Sequence, residues 1–393
     1  MPRTPCGRFT DLTSMKAFFQ EQFGRPATVI ARAPGRLEFI GNHLDYNGGP
    51  VLGAAIDRGV HVAIAPRTDK VIRLISQSQK NLVELNLDQV QPVQGTDGWV
   101  NYPLGMLKVL RDEGMSVSHG FDLAVTNDLP MGAGLSSSAA IELAAGYALS
   151  SLYNYSVDRK RMAELGRLAE NTFVGMPCGI LDQGCSAFGK KDHLVAIDCA
   201  TNTFSNVPMP KGLRFWVLNT QKKHALIDSL YATRHRECME AFAVLRSKKP
   251  SLRDLASADS DLLLSSGLDG DLLKRARHVV EETARVRDTH AALAAKDVVR
   301  VGQNLTASHA SSRDLFGNSC DELDFLVKHA VGCPGVLGAR LTGGGFGGAC
   351  MALCDSLFGE KEAHGLADAY ARKFGHRPTI FTAATGDGAA VVS

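Results

Sequence analysis

The sequence predicts an α+β protein of two lobes. Period-2 alternation of apolar residues at 60–64 and 121–125 is typical of half-buried strands, and an Ala- and Leu-rich run at 139–152 has helical spacing. The segment 200–212 is rich in Asn, Thr and Pro, which favours a boundary there. We therefore expect an N-terminal domain over 1–205 and a C-terminal domain over 206–393.

Local periodicity predicts the elements of the first half. Apolar residues at helical spacing indicate a helix over 11–24, and 27–30 is predicted as a strand. Strands at 60–64 and 71–76 flank a polar turn, which favours an antiparallel sheet in this region. The remaining predicted elements are helices at 99–110, 139–152 and 158–173 and strands at 121–125 and 193–198.

The second half is predicted to be richer in helices. A strand at 213–218 precedes a helix over about 225–245 and an irregular stretch at 251–270. The remaining predicted elements are helices at 272–294, 296–308, from about 320 and at 360–374, with strands at 349–353 and 379–382.

Composition excludes several classes of protein. The chain has 43 basic and 41 acidic residues and no basic stripe with interleaved aromatics, so we expect no nucleic-acid partner. Nine scattered cysteines favour free thiols over a disulfide framework. The first residues lack the apolar core of a signal peptide, and the most apolar run, 139–149, is too short to span a bilayer. We expect a cytoplasmic protein without a membrane partner.

A Gly- and Ser-rich loop joins the predicted strand 121–125 to the helix 139–152. It reads Leu-Pro-Met-Gly-Ala-Gly-Leu-Ser-Ser-Ser-Ala over 129–139. The first N–H groups of a helix lack partners within it and attract anions, and glycines allow close approach. The loop is therefore a candidate phosphate site, although it lacks the Lys of a P-loop and the third glycine of a dinucleotide fingerprint. The alternative is a simple helix cap.

A polar segment follows the strand predicted at 27–30. It places Arg36, Glu38, Asn42, His43 and Asp45 among glycine turns with apolar flanks. Such a cluster suits hydrogen bonding to a small polyhydroxylated ligand. The alternative is a surface turn.

Two carboxylates are candidates for catalysis. Asp182 lies among apolar and small residues, where burial raises a carboxyl pKa and a cation such as Arg36 would keep it ionised. The alternative for Asp182 is a helix cap. Glu170 could share a Mg²⁺ ion with a serine of the Gly- and Ser-rich loop, since Mg²⁺ takes a few hard oxygen ligands from protein. The alternative for Glu170 is a solvated helix face.

A second glycine-rich stretch occupies 343–348, Gly-Gly-Gly-Phe-Gly-Gly. It formally matches a dinucleotide fingerprint, but a strand is predicted after it and too little chain remains for a βαβ unit. We expect this loop to pack against a nucleotide or against the Gly- and Ser-rich loop.

Together these stretches resemble the GHMP small-molecule kinases, and within them the galactokinases. The likeness extends from about residue 22 to the C-terminus and includes Cys-Gly-Ile-Leu-Asp-Gln at 178–183, Lys-His-Ala-Leu at 223–226 and Tyr-Ala-Thr-Arg-His-Arg-Glu-Cys at 231–238. The resemblance implies a two-lobed fold of mixed sheets and flanking helices with the active site between the lobes. It also implies an ATP- and Mg²⁺-dependent kinase that phosphorylates the anomeric hydroxyl of galactose.

The resemblance further implies roles for individual residues. Asp182 corresponds to the catalytic base and Arg36 to the arginine that stabilises transition-state charge, while Ser138 and Glu170 correspond to the Mg²⁺ ligands. The nucleotide would contact Gly132, Ala133, Gly134, Leu135, Ser136, Ser137, Ser138 and Trp99, the last near the adenine. The sugar would contact Glu38, Asn42, His43, Leu44, Asp45, Gly179 and Tyr231.

One departure from the family pattern concerns the sugar. The family usually reads G-R-x-N-x-I-G-E-H-T-D, with a glutamate on the sugar's C6 hydroxyl, whereas this chain has Glu38, Asn42 and Leu44 at the altered positions. We hypothesise that Glu38 restores the charge while Asn42 hydrogen-bonds the sugar. The alternatives are a kinase for another hexose, a uronic acid or an amino sugar, or a non-catalytic sugar and ATP sensor. We expect a monomer or weak homo-oligomer.

Overall fold

The computed structural model describes residues 12–130, 132–222 and 227–393. The strands are β1 (Val29–Ile40), β2 (Pro50–Pro66), β3 (Val71–Ser76), β4 (Val83–Asn86), β5 (Phe121–Asn127), β6 (His193–Asp198), β7 (Thr203–Pro208), β8 (Arg214–Asn219), β9 (Val336–Thr342), β10 (Ala349–Cys354), β11 (Thr379–Ala383) and β12 (Ala390–Val391).

The helices flank these strands. They are α1 (Leu12–Phe23), α2 (Asn101–Asp112), α3 (Ser137–Leu152), α4 (Arg159–Ala169), α5 (Leu181–Phe188), α6 (Ile227–Lys248), α7 (Ser260–Ser265), α8 (Gly270–Ala295), α9 (Val298–Ser311), α10 (Asp321–Val331) and α11 (Glu360–Phe374). Short 3₁₀ turns occur at Asp45–Asn47, Leu87–Gln89, Gly95–Val100 and Leu255–Ser257, and π-helical turns at Glu170–Val174 and Ser312–Phe316. Residues 225–226 of the predicted helix 225–245, and residue 11 of the predicted helix 11–24, lie outside the described residues.

The larger sheet is organised around the long strand β2. Its order is β12-β1-β2-β5-β3-β4, with β6 pairing β2 and β7 pairing β6. The expectation of an antiparallel sheet over the region of β2 and β3 is wrong, because β5 lies between them and β3 runs parallel to β5, with Ile72 opposite Phe121. The predicted mixed sheets of an α+β fold are confirmed.

The second sheet has the order β11-β8-β10-β9 and is antiparallel. It buries Trp216 and Leu341 against side chains of α10 and α11, including Tyr370. The segment 200–212, whose composition predicts a domain boundary, contains β7. This strand spans the predicted division at 205/206 and is hydrogen-bonded to β6. The last strand, β12, returns to the first sheet and pairs with β1. The division at 205/206 therefore stays a prediction.

The polar segment after residue 30 is mostly strand. The predicted end of this strand at residue 30 is wrong, because β1 continues to Ile40 and pairs with β2, with bulges between Pro34 and Arg36 and between Glu38 and Ile40. Helix α3 packs on β1 and β2, and the backbone N–H of Arg36 donates to the carbonyl of Leu135 at 3.0 Å. This packing holds the loop before α3 beside β1.

Two further expectations bear on the chain as a whole. The eight cysteines within the described residues are unpaired thiols, which agrees with the prediction from their spacing. None of the helices in residues 12–130, 132–222 and 227–393 combines the length and apolarity needed to span a membrane.

Candidate active site

Two glycine loops, one from each half of the chain, face each other. The first precedes α3 and the second joins β9 to β10. A Cβ built on Gly343 would lie 3.2 Å from the carbonyl oxygen of Gly134, and one built on Gly134 would lie 3.6 Å from that of Thr342. Gly134 and Gly343 also have positive φ, which favours glycine. The expected packing of 343–348 against the Gly- and Ser-rich loop is confirmed for the described part of that loop; Met131 lies outside it.

Asp182 receives hydrogen bonds from both Arg36 and the Gly- and Ser-rich loop. Arg36 approaches Asp182 Oδ1 through Nε and Nη2, each at 2.7 Å, and the Ser136 hydroxyl donates to Oδ2. Arg36 Nη1 donates to the Gly134 carbonyl at 2.5 Å. Asp182 is not the cap of α5, because Ile180 occupies that position. The cap alternative for Asp182 is therefore wrong, and Ser136 likewise makes no side-chain cap bond to α3.

The Arg36 guanidinium is a buried cation in an acidic environment. Burial lowers its pKa, but the carboxylates of Asp182 and Glu38 more than offset this effect, so its pKa lies above the ordinary value. Arg36 is 5% exposed to solvent, whereas the Asp182 side chain is 26% exposed. The carboxylate therefore remains reachable by a ligand while its cationic partner is fixed.

A cavity of about 200 Å³ opens beside this pair. Its walls come from both halves of the chain and are mostly polar on the side of the first half. The lining residues are Arg36, Glu38, Asn42, His43, Asp45, Glu170, Met176, Pro177, Cys178, Gly179, Leu181, Asp182, Tyr231, Gly343 and Gly344.

Glu170 is buried at the end of α4, where the helix widens into the π-helical turn. It is 8% exposed, so the alternative of a solvated helix face is wrong. Burial, and then the nearby Asp182 carboxylate, raise the pKa of Glu170, while hydrogen bonds from Ser138, Cys178 and Gln183 counter this. The Ser138 hydroxyl and the Glu170 carboxylate, the two predicted Mg²⁺ ligands, are thus in direct contact.

His43 and Asp45 also line the cavity. His43 Nε2 lies 3.2 Å from the Gly344 carbonyl and Nδ1 lies 2.8 Å from the Tyr46 hydroxyl. Burial lowers the pKa of His43 to about 3, so the ring is neutral, with Nε2 as the donor. Burial and the neighbouring carboxylates of Asp182 and Glu38 raise the pKa of Asp45 to about 7.

Gly179 is required where it stands. A Cβ built on it would lie 2.1 Å from Cγ of Asp45, well inside contact distance. Tyr231, from α6, also lines the cavity, with its ring centroid 5.0 Å from that of His43.

Asn42 lines the cavity, but its amide is fully used within the protein. Its nitrogen donates to Glu38 Oε1 and to the Gly343 carbonyl, both at 2.9 Å. Its oxygen accepts from Ser312 at 3.1 Å and from Asn318 at 2.8 Å. These four bonds fill the capacity of an amide side chain. The hypothesis that Asn42 hydrogen-bonds the sugar is therefore contradicted by this arrangement.

Glu38 is likewise engaged. Its carboxylate accepts from Arg340 Nη2 at 2.9 Å, and the Arg340 side chain is fully buried. Removing one partner of a buried ion pair leaves the other charge buried without compensation, which is strongly destabilising. Glu38 Oε1 thus ties β1 to β9 through Arg340, while Glu38 remains a lining residue of the cavity.

Two other predicted residues lie away from the cavity. Leu44 is fully buried in the hydrophobic core and is not among the lining residues, so the prediction that Leu44 binds the sugar is wrong. The Leu44 side chain belongs to the main hydrophobic cluster instead. Trp99, in the turn 95–100, packs on the same core and does not line this cavity, and its contact with adenine stays a prediction.

The comparisons with known proteins agree with one another. The family model described as the galactokinase galactose-binding signature matches residues 17–66, and the GHMP kinase N-terminal and C-terminal models match 101–190 and 289–375. The chain is 39% identical over 381 residues to the galactokinase of Chloroflexus aurantiacus, covering 96% of this chain and 97% of that protein. The chain belongs to the galactokinase family. It is 38% identical to the galactokinase of Staphylococcus carnosus, covering 96% of this chain and 98% of that protein.

Solved structures show the same relationship. The Lactococcus lactis galactokinase complexed with galactose superposes with a TM-score of 0.93 at 33% identity, covering 97% of this chain and all of that one. The mevalonate kinase of Methanococcus jannaschii superposes with a TM-score of 0.65 at 20% identity, covering 91% of this chain and 98% of that one, and shows the fold alone.

Sequence reasoning missed several residues of this galactokinase-family site. Cys178 lines the cavity, and Gln183 and Glu142 form a buried pair behind Glu170. A signal existed for Glu142, because it is an acidic residue within the apolar run 139–149. Nothing local distinguishes Gln183 from an ordinary helix residue.

Proposed function

We propose that this protein transfers the γ-phosphoryl group of ATP to the anomeric hydroxyl of galactose, giving galactose 1-phosphate and ADP. Membership of the galactokinase family makes the protein a phosphotransferase that acts on a sugar hydroxyl. One observation carries the proposal furthest. Arg36 and Ser136 of the Gly- and Ser-rich loop converge on the Asp182 carboxylate, at the wall of a cavity that both halves of the chain line.

Asp182 is the proposed base. The anomeric hydroxyl is the most acidic hydroxyl of a sugar, so a carboxylate suffices to accept its proton as the phosphoryl group is transferred. The proton moves to a carboxylate oxygen of Asp182, and the sugar oxygen forms the new bond to the γ-phosphorus as the bond from that phosphorus to the β,γ-bridging oxygen breaks and ADP leaves. Phosphoryl transfer depends mainly on positioning and electrostatics, and a dissociative transition state leaves charge on the phosphoryl oxygens. Arg36 would stabilise that charge from a fixed position.

The Gly- and Ser-rich loop is the proposed phosphate site. The N–H groups at the start of α3 have no partners in the helix and carry the positive end of its dipole. We propose that Gly132, Ala133, Gly134 and Leu135 bring the backbone close to the phosphates, and that Ser136, Ser137 and Ser138 add hydroxyl groups. Trp99 is the proposed aromatic neighbour of the adenine.

Mg²⁺ is the proposed partner of Ser138 and Glu170. Their side chains touch, and a hydroxyl beside a carboxylate is the hard-oxygen donor set that fits this ion. Within the described residues no group of three or more His, Cys, Asp or Glu side chains could hold a metal by itself. Mg²⁺ usually keeps several water ligands and binds substrate phosphates besides one or two carboxylates. When bound, it would neutralise charge on the phosphate oxygens.

The sugar site is proposed to consist of His43, Asp45, Gly179 and Tyr231. Each lines the cavity, and Asp45 offers a carboxyl group that Gly179 leaves room for. The substrate would be enclosed between lobes formed by 1–205 and 206–393.

A coupled ADP-release assay over a panel of sugars tests the proposal. The panel contains galactose, its C2 and C4 epimers, 2-deoxygalactose, galacturonic acid and galactosamine. We expect galactose to give the highest kcat/KM. No ADP release with any sugar would favour a sensor, and a higher kcat/KM with another sugar would replace galactose as the substrate.

A further inference from the structure

A fully buried carboxyl group lies behind the proposed Mg²⁺ site. Glu142 occupies α3 one turn beyond Ser138 and is 0% exposed. The charged form of a carboxyl group is strongly disfavoured in such a place unless a cation or several donors compensate for it. Glu142 forms no ion pair within the described residues, and its single hydrogen-bond donor there is an amide.

That amide belongs to Gln183, which joins two carboxyl groups. Gln183 is also fully buried and follows Asp182 in α5. Its Nε2 donates to Glu170 Oε2 at 2.7 Å and to Glu142 Oε2 at 3.0 Å. A primary amide has two N–H groups, so both are used.

Glu142 and Gln183 each have a side-chain oxygen that accepts no hydrogen bond from the described residues. Within residues 12–130, 132–222 and 227–393, neither Glu142 Oε1 nor Gln183 Oε1 accepts a hydrogen bond, although both are buried. Two buried acceptors without donors are costly. The two side chains that carry these oxygens are already joined by the bond from Gln183 Nε2 to Glu142 Oε2. A protonated carboxylic acid and an amide can form two hydrogen bonds with each other, one from the amide nitrogen and one from the carboxyl hydroxyl.

We propose that Glu142 is a neutral positioning residue, whose carboxyl hydroxyl donates to Gln183 Oε1 and so fixes the Gln183 amide with its nitrogen toward Glu170. One proton then satisfies both unpaired oxygens. The opposite orientation of the amide would direct its oxygen at two carboxyl oxygens. Glu142 therefore determines which atom of Gln183 faces Glu170.

The charges around Glu142 support this assignment. Burial, followed by the carboxylate of Glu170, raises the pKa of Glu142 well above its ordinary value, with a smaller contribution from Asp182. The pKa of the equally buried Glu282 is instead lowered to about 2, because Arg285, His278 and Arg340 outweigh its burial. The pKa values of the two buried glutamates thus shift in opposite directions, because cations surround Glu282 and an amide and carboxylates surround Glu142.

The consequence for Glu170 rests on the proposed function. Glu170 receives donors from Gln183, Cys178 and Ser138, and a fixed Gln183 amide holds its carboxylate in one orientation. Partners that orient a metal ligand typically change metal affinity ten- to a hundredfold when removed. Glu142 would thus tune Mg²⁺ binding through Gln183.

The test compares Glu142→Gln, Glu142→Leu and the matched control Glu282→Gln. In Glu142→Gln the new amide still donates to Gln183 Oε1 and accepts from Nε2. We expect the urea midpoint of this variant to equal that of wild type. Its Mg²⁺ affinity, measured by calorimetry with bound nucleotide and no sugar, should stay within about twofold of wild type. Glu142→Leu removes both bonds and should weaken Mg²⁺ binding by about tenfold or more. Glu282→Gln should lower the urea midpoint, because that glutamate is ionised.

Infrared difference spectroscopy decides the protonation state independently of activity. The spectrum of wild type minus Glu142→Gln at neutral pH should contain the carbonyl band of a protonated carboxylic acid. Absence of that band, or a Glu142→Gln variant as impaired in Mg²⁺ binding as Glu142→Leu, overturns the proposal. If Glu142→Leu does not fold, the band and the Glu142→Gln values still decide. Failure of galactose turnover would refute the proposed function without affecting the band.

Discussion

Replacing Glu282 with glutamine removes a buried negative charge that organises the segment before the sugar site. Glu282 Oε1 accepts from the backbone N–H groups of Gly41 at 3.1 Å and Asn42 at 3.4 Å and from the Ser308 hydroxyl at 2.5 Å. Its Oε2 accepts from Arg285 Nε at 2.7 Å. The charge therefore links α8 and α9 to the end of β1.

The pKa of this group sets the size of the effect. Burial raises the pKa of Glu282, but the opposing effect of Arg285, His278 and Arg340 is larger. The net result is a pKa lowered from 4.5 to about 2. Each pKa unit corresponds to ~1.4 kcal/mol, so the ionised form stabilises the folded protein by about 3 kcal/mol. Because the folded pKa is depressed, this stability is fully present above the unfolded pKa of 4.5 and is lost as pH falls toward 2.

Urea unfolding at a series of pH values measures the effect. At pH 7, Glu282→Gln should lower the free energy of unfolding by about 3 kcal/mol, and the difference from wild type should narrow as pH falls below about 4.5. Glu281→Gln is the matched control, since its pairs with Arg277 and Arg285 are partly exposed and contribute at most about 1 kcal/mol. Equal stability of Glu282→Gln and wild type at pH 7, or a difference that does not change with pH, would refute the reasoning.

Three further predictions concern the cavity. Asp182→Asn should reduce kcat about a thousandfold, while calorimetric ATP affinity stays within about twofold; substantial residual turnover would mean that the base is another group. Gly179→Ala places a Cβ 2.1 Å from Asp45 Cγ and should raise the sugar KM by about tenfold or more. Gly98→Ala, whose Cβ would meet nothing closer than 3.8 Å, should leave KM unchanged; equal KM values for the two variants would contradict this role. Glu38→Gln breaks a buried ion pair and should lower the free energy of unfolding by about 3 kcal/mol. A higher sugar KM with unchanged stability would instead support the hypothesis that the Glu38 charge acts at the sugar site.

Much of the fold was predictable from local pattern. The helices at 12–23, 137–152 and 360–374 have apolar faces or long apolar runs, and the structure forms them within about two residues of the predicted bounds. The pairing of strands was less accessible. Nothing in the segments 60–64 and 71–76 indicates that a strand 50 residues further along lies between them, because the hydrogen-bonding edge of a strand carries no signal in its own side chains.

The outcome at Asn42 illustrates the same limit within the site. Its residue type and position beside His43 indicated a ligand contact, yet Ser312 and Asn318 use the oxygen of its amide. These partners are 270 and 276 residues away in the chain. Whether a polar side chain is available to a ligand depends on every neighbour that reaches it, and such neighbours come from the whole fold.

The sequence by itself determined the chemical groups of this protein and their local conformations. Glycines at 132, 134 and 343 and a helix beginning at Ser137 follow from short-range preferences, because backbone freedom and unpaired helix N–H groups are properties of a few adjacent residues. Only the tertiary structure decided in which direction the pKa of each buried carboxyl group shifts. Glu282 meets arginines, which lower its pKa, whereas Glu142 meets an amide, and its burial raises its pKa.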